Sequence, residues 1–261
     1  MTDPTNEPLW RALWTGNPPL PTHRKRRIYA HLPSSPRCRI CLAPFHGIGG
    51  RLLHLLGNRP SGKNPNYCAV CDGFARTHPG GAEVELALVF ADLRGSTSLA
   101  EQMGPYEFKQ KIDKFYLAAT EALVEADAFV DRLVGDQVVG LFMPGMAGPE
   151  YASKAVHAAR TLVATVARRA HLPVGAGVHS GIAFVGTVEG QSGVERDIAA
   201  VGDAVNTTAR LASAAHPGEV LVSDDAVKAA GLDPAGLEIR HLTLKGKAKA
   251  LAVCVLPVEG A

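Results

Sequence analysis

Apolar and polar positions change rhythm near residue 83 of this chain. Beyond it, apolar runs of strand length alternate with stretches of helical period; before it, they are short and broken by Pro and Gly. Residues 84–91, Val-Glu-Leu-Ala-Leu-Val-Phe-Ala, read as a buried strand. Residues 97–103 and 106–126 read as helices, the second with Phe108, Ile112, Phe115 and Tyr116 at helical spacing. Residues 129–134 and 137–143 are strands joined by Gly135-Asp136, a two-residue hairpin turn with Gly in its first central place. A helix over 150–170, a long strand over 174–185 and a short one over 198–201 follow. Asp203 caps a helix that runs to about Ala215 and is stopped by Pro217-Gly218. Residues 220–222, 239–244 and 251–255 complete the strands. Helices and strands alternating with hairpins predict an α+β fold on a mixed or mostly antiparallel sheet.

The first third has another texture. Residues 1–35 hold Asn17-Pro18-Pro19-Leu20-Pro21 and Pro33-Ser34-Ser35-Pro36 around a basic run, His23-Arg24-Lys25-Arg26-Arg27. An irregular or partly disordered Pro-rich leader is expected there. The basic run reads first as a solvated face, and second as a contact for nucleic acid or an acidic lipid surface; nucleic acid is not expected as a partner. Residues 36–75 form a cysteine module, in which Gly47-Ile48-Gly49-Gly50 opens onto a short helix over 51–56. Residues 76–82, with Pro79-Gly80-Gly81, read as a linker, and 83–261 as the second domain.

Charge supports that division. Residues 1–82 hold 11 Lys and Arg against Asp3, Glu7 and Asp72, and the remainder holds 16 basic and 22 acidic residues. The overall +2 therefore conceals a basic segment and an acidic one. With 46% apolar and 20% charged residues, 261 residues can bury a core, which excludes wholesale disorder. No apolar run approaches the ~18 residues of a membrane span. The N-terminus shows no apolar signal region, so a cytoplasmic protein is expected.

Four of the five cysteines form two pairs, Cys38/Cys41 and Cys68/Cys71, all in the basic segment. Two Cys-x-x-Cys knuckles supply four thiolates for one tetrahedral Zn²⁺, which would fold a segment with little core of its own. An iron–sulfur cluster and a reversible dithiol switch remain open. His46 and His54 are secondary candidate ligands, and Cys254, in an apolar run, reads as a buried small hydrophobe. The module's role is regulatory or structural.

Three groups in the second domain carry chemistry. Asp92 is a charge at the end of an apolar run, where Phe90-Ala91-Asp92-Leu93-Arg94-Gly95-Ser96-Thr97 passes from strand to helix. Gly95, Ser96 and Thr97 offer backbone N–H groups at a helix N-terminus, where phosphate is favourably held. Asp136 sits at the hairpin tip. If the hairpin lies beside the first strand the two carboxylates converge, an arrangement suited to two Mg²⁺ or Mn²⁺ on a nucleoside triphosphate. Either Asp alone reads equally as a cap or turn residue. Asn206 and Arg210, four apart, project from one helix face as an amide and guanidinium clamp for charge on a phosphoryl group.

These blocks occur in a familiar order. With Leu133-Val134-Gly135-Asp136, Gly175-Ala176-Gly177-Val178-His179-Ser180-Gly181, the Gly-Asp-x-Val-Asn-x-x-x-Arg-Leu pattern of 202–211 and Leu244-Lys245-Gly246-Lys247, the chain from about residue 83 to 257 resembles the class III adenylate/guanylate cyclase catalytic domain. Diguanylate cyclases of the GGDEF type lack the Asn-x-x-x-Arg helix. The resemblance implies a ferredoxin-like βαββαβ core and a reaction in which the ribose 3′-hydroxyl attacks the α-phosphate and pyrophosphate leaves. It implies two Mg²⁺ or Mn²⁺ held by Asp92, Asp136 and the Leu93 carbonyl, a ribose oriented by Asn206, a transition state stabilised by Arg210, and terminal phosphates contacted by Lys245. It also implies a homodimer whose sites are shared between subunits. Two base-reading positions depart from the family: Arg132 stands where adenylate cyclases usually have Lys, and Ala199 where they have Asp or Thr. The guanylate cyclase pair of Glu and Cys is absent too. ATP is the default substrate, with GTP and pyrimidine triphosphates open. The alternative is a non-catalytic cyclase-fold module that binds nucleotide or a partner.

Overall fold

The computed structural model describes residues 4–33, 36–62, 66–189, 196–243 and 250–258. In chain order the elements are α1 (Glu7–Thr15), α2 (Pro21–Ala30), α3 (Gly47–Leu55), α4 (Ala69–Thr77), β1 (Gly81–Leu93), α5 (Ser96–Gln102) and α6 (Pro105–Glu125). There follow β2 (Phe129–Val134), β3 (Gln137–Phe142), α7 (Pro144–Ala147), α8 (Tyr151–Ala170), β4 (Val174–Glu189), β5 (Arg196–Val201) and α9 (Asp203–Ala214). The chain ends with β6 (Glu219–Ser223), α10 (Asp224–Ala230), β7 (Glu238–Leu242) and β8 (Leu251–Pro257).

The strands lie in the order β2-β3-β1-β4-β6-β8-β7, with β5 paired to β4. The series β1-α6-β2-β3-α8-β4 with that order is the ferredoxin-like βαββαβ core, and the mixed α+β reading holds: β4 and β6 run parallel while the β1–β3, β2–β3, β6–β8 and β7–β8 pairs are antiparallel. Two compact units result: one comprises 1–84, 144–148 and 184–200, the other 85–143, 149–183 and 201–261.

In the second unit, β1 is buried on both faces from Leu86 to Ala91, which is why its sequence is a continuous apolar run instead of an alternation. Helices α6 and α8 turn Phe115, Leu123, Leu162 and Val163 inward. Leu211 of α9 and its C-cap Ala215 are buried against Leu221, Val253 and Val255. Glycine sets how near α9 lies to β4: a Cβ on Gly177 would stand 2.5 Å from the Ala212 nitrogen, and one on Gly175 2.9 Å from Ala215. Those two motif glycines are packing residues. The N-cap of α9 is Gly202, at φ 145°, and Asp203 is its first helical residue, not its cap. A Cβ is disfavoured at that φ, so glycine occupies the junction. Helix α10 gives no separate periodic signal; its seven residues follow β6 directly, capped by the Ser223 hydroxyl, which accepts from the Ala226 N–H.

In the first unit, the expected irregular leader is instead two helices. Pro8 and Pro21 occupy the opening turns of α1 and α2, where proline is tolerated and its fixed φ is already helical. Trp10, Leu13 and Trp14 of α1 are buried, and the Trp14 indole donates to the Val185 carbonyl at 3.0 Å. The basic run is only partly a solvated face. His23 accepts from the Leu20 N–H through Nδ1, so its Nε2–H donates to the Leu13 carbonyl at 2.7 Å. Arg26 is buried and donates to the carbonyls of Arg39 and Ile40. The helix expected over 51–56 begins a full turn earlier, at Gly47, because Gly49 and Gly50 let it lie directly on Pro44 and Phe45. The expected linker is shorter at both ends: α4 extends to Thr77 and β1 starts at Gly81.

Candidate active site and cysteine centre

Asp92 and Asp136 converge, as the hairpin reading required. Asp92 pairs with Gln137 at the end of the β1–β3 ladder, Gly135 takes φ 61° in the β2–β3 turn, and the Leu93 N–H donates to the Asp136 carbonyl at 3.1 Å. The Tyr116 hydroxyl of α6 donates to the Gly135 carbonyl at 2.7 Å and anchors the turn. Burial pushes the Asp92 carboxyl above its usual value; the Arg94 guanidinium opposes this, and the neighbouring Asp136 charge adds to it. Arg94 was not marked out by the sequence. It pairs with Asp92 Oδ2 and also donates to the Ser213 carbonyl at the end of α9. The only signal was its position two residues beyond a buried acid. Among the described residues Asp92 Oδ1 is buried without a hydrogen-bond partner of ordinary geometry, although the Gln137 side chain lies close enough to favour the charged carboxylate.

Ser96 donates to Asp136 Oδ2, so the first residue of α5 is tied to the hairpin tip. Gly95 is the left-handed N-cap of that helix and Thr97 its second residue. On α9, Asn206 is exposed and Arg210 half-buried, with no hydrogen bond or ion pair recorded for either side chain among the described residues. Arg132 lies in β2, where pairing shifts register between Val130 and Leu133. Ala199 is buried within β5. Lys245 lies outside the described residues.

The cysteine pairs also converge. Cys38, Cys41, Cys68 and Cys71 are buried, with all four sulfurs within 4.8 Å of one another and Cys41 Sγ 3.7 Å from Cys68 Sγ. The first pair sits in a tight turn in which Leu42 N–H donates to Cys38 O and Cys38 N–H to Ala43 O. The second pair straddles the start of α4, with Cys68 as N-cap. Burial works against ionising Cys38, but hydrogen bonds from the other three thiols outweigh it and hold Cys38 well below the usual thiol value. Hydrogen bonding to Cys38 pushes Cys71 up, and Cys41 likewise. Four thiolates this close need a cation between them, so the cluster can hold a metal ion. Neither His46 nor His54 belongs to it, and Cys254 is buried in β8. Tyr67, next to Cys68, is buried, and its hydroxyl donates to Asp197 of β5 at 2.7 Å.

Comparison with known proteins decides the family. The sequence model described as the Adenylate and Guanylate cyclase catalytic domain matches residues 82–255. The chain belongs to that family. This cyclase domain is 29% identical over 139 residues to an adenylate cyclase of Anabaena cylindrica, covering 48% of this chain and 26% of that protein. The chain thus spans about a quarter of that relative's length. Its fold matches the crystal structure of the guanylyl cyclase Cya2 with a TM-score of 0.62 at 24% identity, over 69% of this chain and 95% of the other. It matches the adenylyl cyclase CyaB from P. aeruginosa with a TM-score of 0.60 at 20% identity, over 69% and 97%. Among the described residues no helix is long and apolar enough to cross a membrane.

Proposed function

We propose that this cyclase-family chain is an active nucleotide cyclase, converting a nucleoside triphosphate, ATP by default, into a 3′,5′-cyclic nucleotide and pyrophosphate. The observation that carries the reading is the buried, unsatisfied Asp92 Oδ1 beside Asp136. Two acids at a strand end and an adjoining hairpin tip, one with an orphaned oxygen, fit hard divalent cations. Such ions, Mg²⁺ or Mn²⁺, would be held by Asp92, Asp136 and the Leu93 carbonyl, and when bound supply Lewis-acid stabilisation of the phosphate oxygens. Arg94 and Ser96 keep the two carboxylates in place. The ribose 3′-oxygen loses its proton and bonds to the α-phosphorus as the bond to the bridging oxygen breaks. Asn206 orients the ribose, Arg210 neutralises charge that grows on the α-phosphate, and the N–H groups of Gly95 to Thr97 with Lys245 receive the outer phosphates. Asn206 and Arg210 serve the carboxylates of a second copy, so the working form is a homodimer with shared sites.

We further propose that the cysteine centre holds one zinc ion. A tetrahedral ion with Zn–S bonds of about 2.3 Å separates its sulfurs by about 3.8 Å. The 3.7 Å between Cys41 and Cys68 sulfurs fits that edge, whereas a cluster would interpose irons and sulfides and spread the thiolates.

The Ala199 side chain offers no acceptor for the adenine amino group, which supports relaxed base selection, with GTP or a pyrimidine triphosphate also used. Purified protein incubated with Mn²⁺ and each of the four ribonucleoside triphosphates, with products read by mass spectrometry, tests the assignment. Cyclic AMP and lesser amounts of other cyclic nucleotides are expected. No cyclic product from any of them, with the protein folded and dimeric, would favour a non-catalytic module.

A further inference from the structure

Helix α3 is apolar on two opposite faces, and only one of them is covered. Gly49, Gly50 and Leu53 face the module: a Cβ on Gly50 would stand 2.7 Å from the Phe45 carbonyl carbon, and one on Gly49 3.4 Å from Leu32 and Pro44. At about 100° per residue, Ile48, Leu52, Leu55 and the C-cap Leu56 fall within one arc on the other side. They are 87%, 58%, 85% and 66% exposed. A single exposed leucine needs no explanation, but four large aliphatic side chains in one stripe mark an interaction surface.

Charge and side-chain type narrow what covers it. Arg51 and His54 flank the stripe on the helix and Arg59 follows it, all exposed. Between Glu7 and Asp72 the chain has no Asp or Glu but ten Lys and Arg, and those two acids are already paired with Arg11 and Arg76. Two copies meeting through this face would bring like charges together, so the occupant is anionic. The stripe is purely aliphatic, without the Trp, Tyr or buried Arg anchors that concentrate binding energy at protein interfaces. An aliphatic stripe with a basic rim suits the boundary between acyl chains and anionic headgroups.

We propose that α3 docks this protein peripherally on anionic membranes. Ile48, Leu52, Leu55 and Leu56 enter the headgroup–acyl boundary, and Arg51 and Arg59 meet the lipid phosphates.

The test is flotation of the full chain with phosphatidylcholine vesicles, and with vesicles in which about a third of the lipid is phosphatidylglycerol. The wild-type protein should float with the anionic vesicles and far less with the neutral ones. Leu52→Glu with Leu55→Glu should lower the partition about tenfold or more, and Arg51→Glu about fivefold, with the Arg51 effect fading in about 0.5 M salt. Leu55→Ser alone, a milder change at an exposed position, should give a partial loss, with metal content and melting temperature checking that each variant is folded. Equal flotation of variants and wild type overturns the proposal. So does failure of the wild type to float with anionic vesicles. A dimer that Leu52→Glu with Leu55→Glu dissociates, without lipid binding by the wild type, would assign the stripe to a second copy; retention only on an acidic protein would assign it to that class.

Discussion

Asp92 shows how burying one carboxyl works against the fold, a cost that the proposed metal site would account for. Its folded-state pKa is raised, first by burial and then by Asp136. A raised pKa means that the folded state binds the proton more tightly than the unfolded state does. The associated stability is present at pH below the unfolded value and is lost as pH rises through the folded value. Through Asp92 the fold is therefore less favoured as pH rises, and Mn²⁺ should raise the melting temperature more at pH 7.5 than at pH 5. Asp92→Asn should remove that Mn²⁺ shift, match or exceed the wild-type melting temperature without metal, and lower turnover by about 10² or more. Asp136→Ala should lower turnover comparably. Differential scanning fluorimetry and product assays check this; an unchanged Mn²⁺ shift in Asp92→Asn would remove Asp92 from the proposed metal site. Asp92 was legible because a charge terminating an apolar strand is anomalous. The Arg94 pair was not, since nothing in the local pattern says that its guanidinium turns back on Asp92 and reaches Ser213.

At the scale of elements, long helices and the hairpin were legible from period and turn chemistry. The ends of elements were harder, because glycine and proline carry two meanings. Pro8 and Pro21 look like breakers and act as helix starts; Gly49 and Gly50 look like a loop and form the buried side of α3. The cysteine knuckles organise this region: one pair lies in a turn before α3 and the other at the start of α4. Metal analysis of the purified protein should find about one zinc per chain, with Cys38→Ser or Cys68→Ser losing it. Chelation should lower the melting temperature and expose the α3–α4 segment to protease. Stoichiometric iron with sulfide would replace the zinc assignment by a cluster. Metal-free protein that is equally protease-resistant would exclude both.

At the scale of the molecule, the proposed catalysis needs two chains. The exposed Asn206 and half-buried Arg210 lack recorded partners within the described protomer, as groups that serve a neighbour's substrate would. Asp92→Ala and Arg210→Ala proteins, each inactive, should regain activity when mixed, because one of the two sites in a mixed dimer receives neither substitution. Subunit exchange verified by labelled chains without any return of activity would place each site within one chain.

The sequence by itself determined the strands and longer helices beyond residue 83, the order of the motifs, the pairing of the cysteines in number and the two acids that meet at the end of β1. These follow from local period, turn chemistry and spacing, which need only neighbours along the chain. Tertiary structure decided what depends on distant neighbours. It made Gly175 and Gly177 packing residues beneath α9, buried Arg26 on backbone carbonyls, left Asp92 Oδ1 unsatisfied and put Tyr67 on Asp197. It also decided which apolar face of α3 is covered. Period alone could not choose between two apolar faces; the close approach of Gly50 to Phe45 did, and left Ile48, Leu52, Leu55 and Leu56 in water.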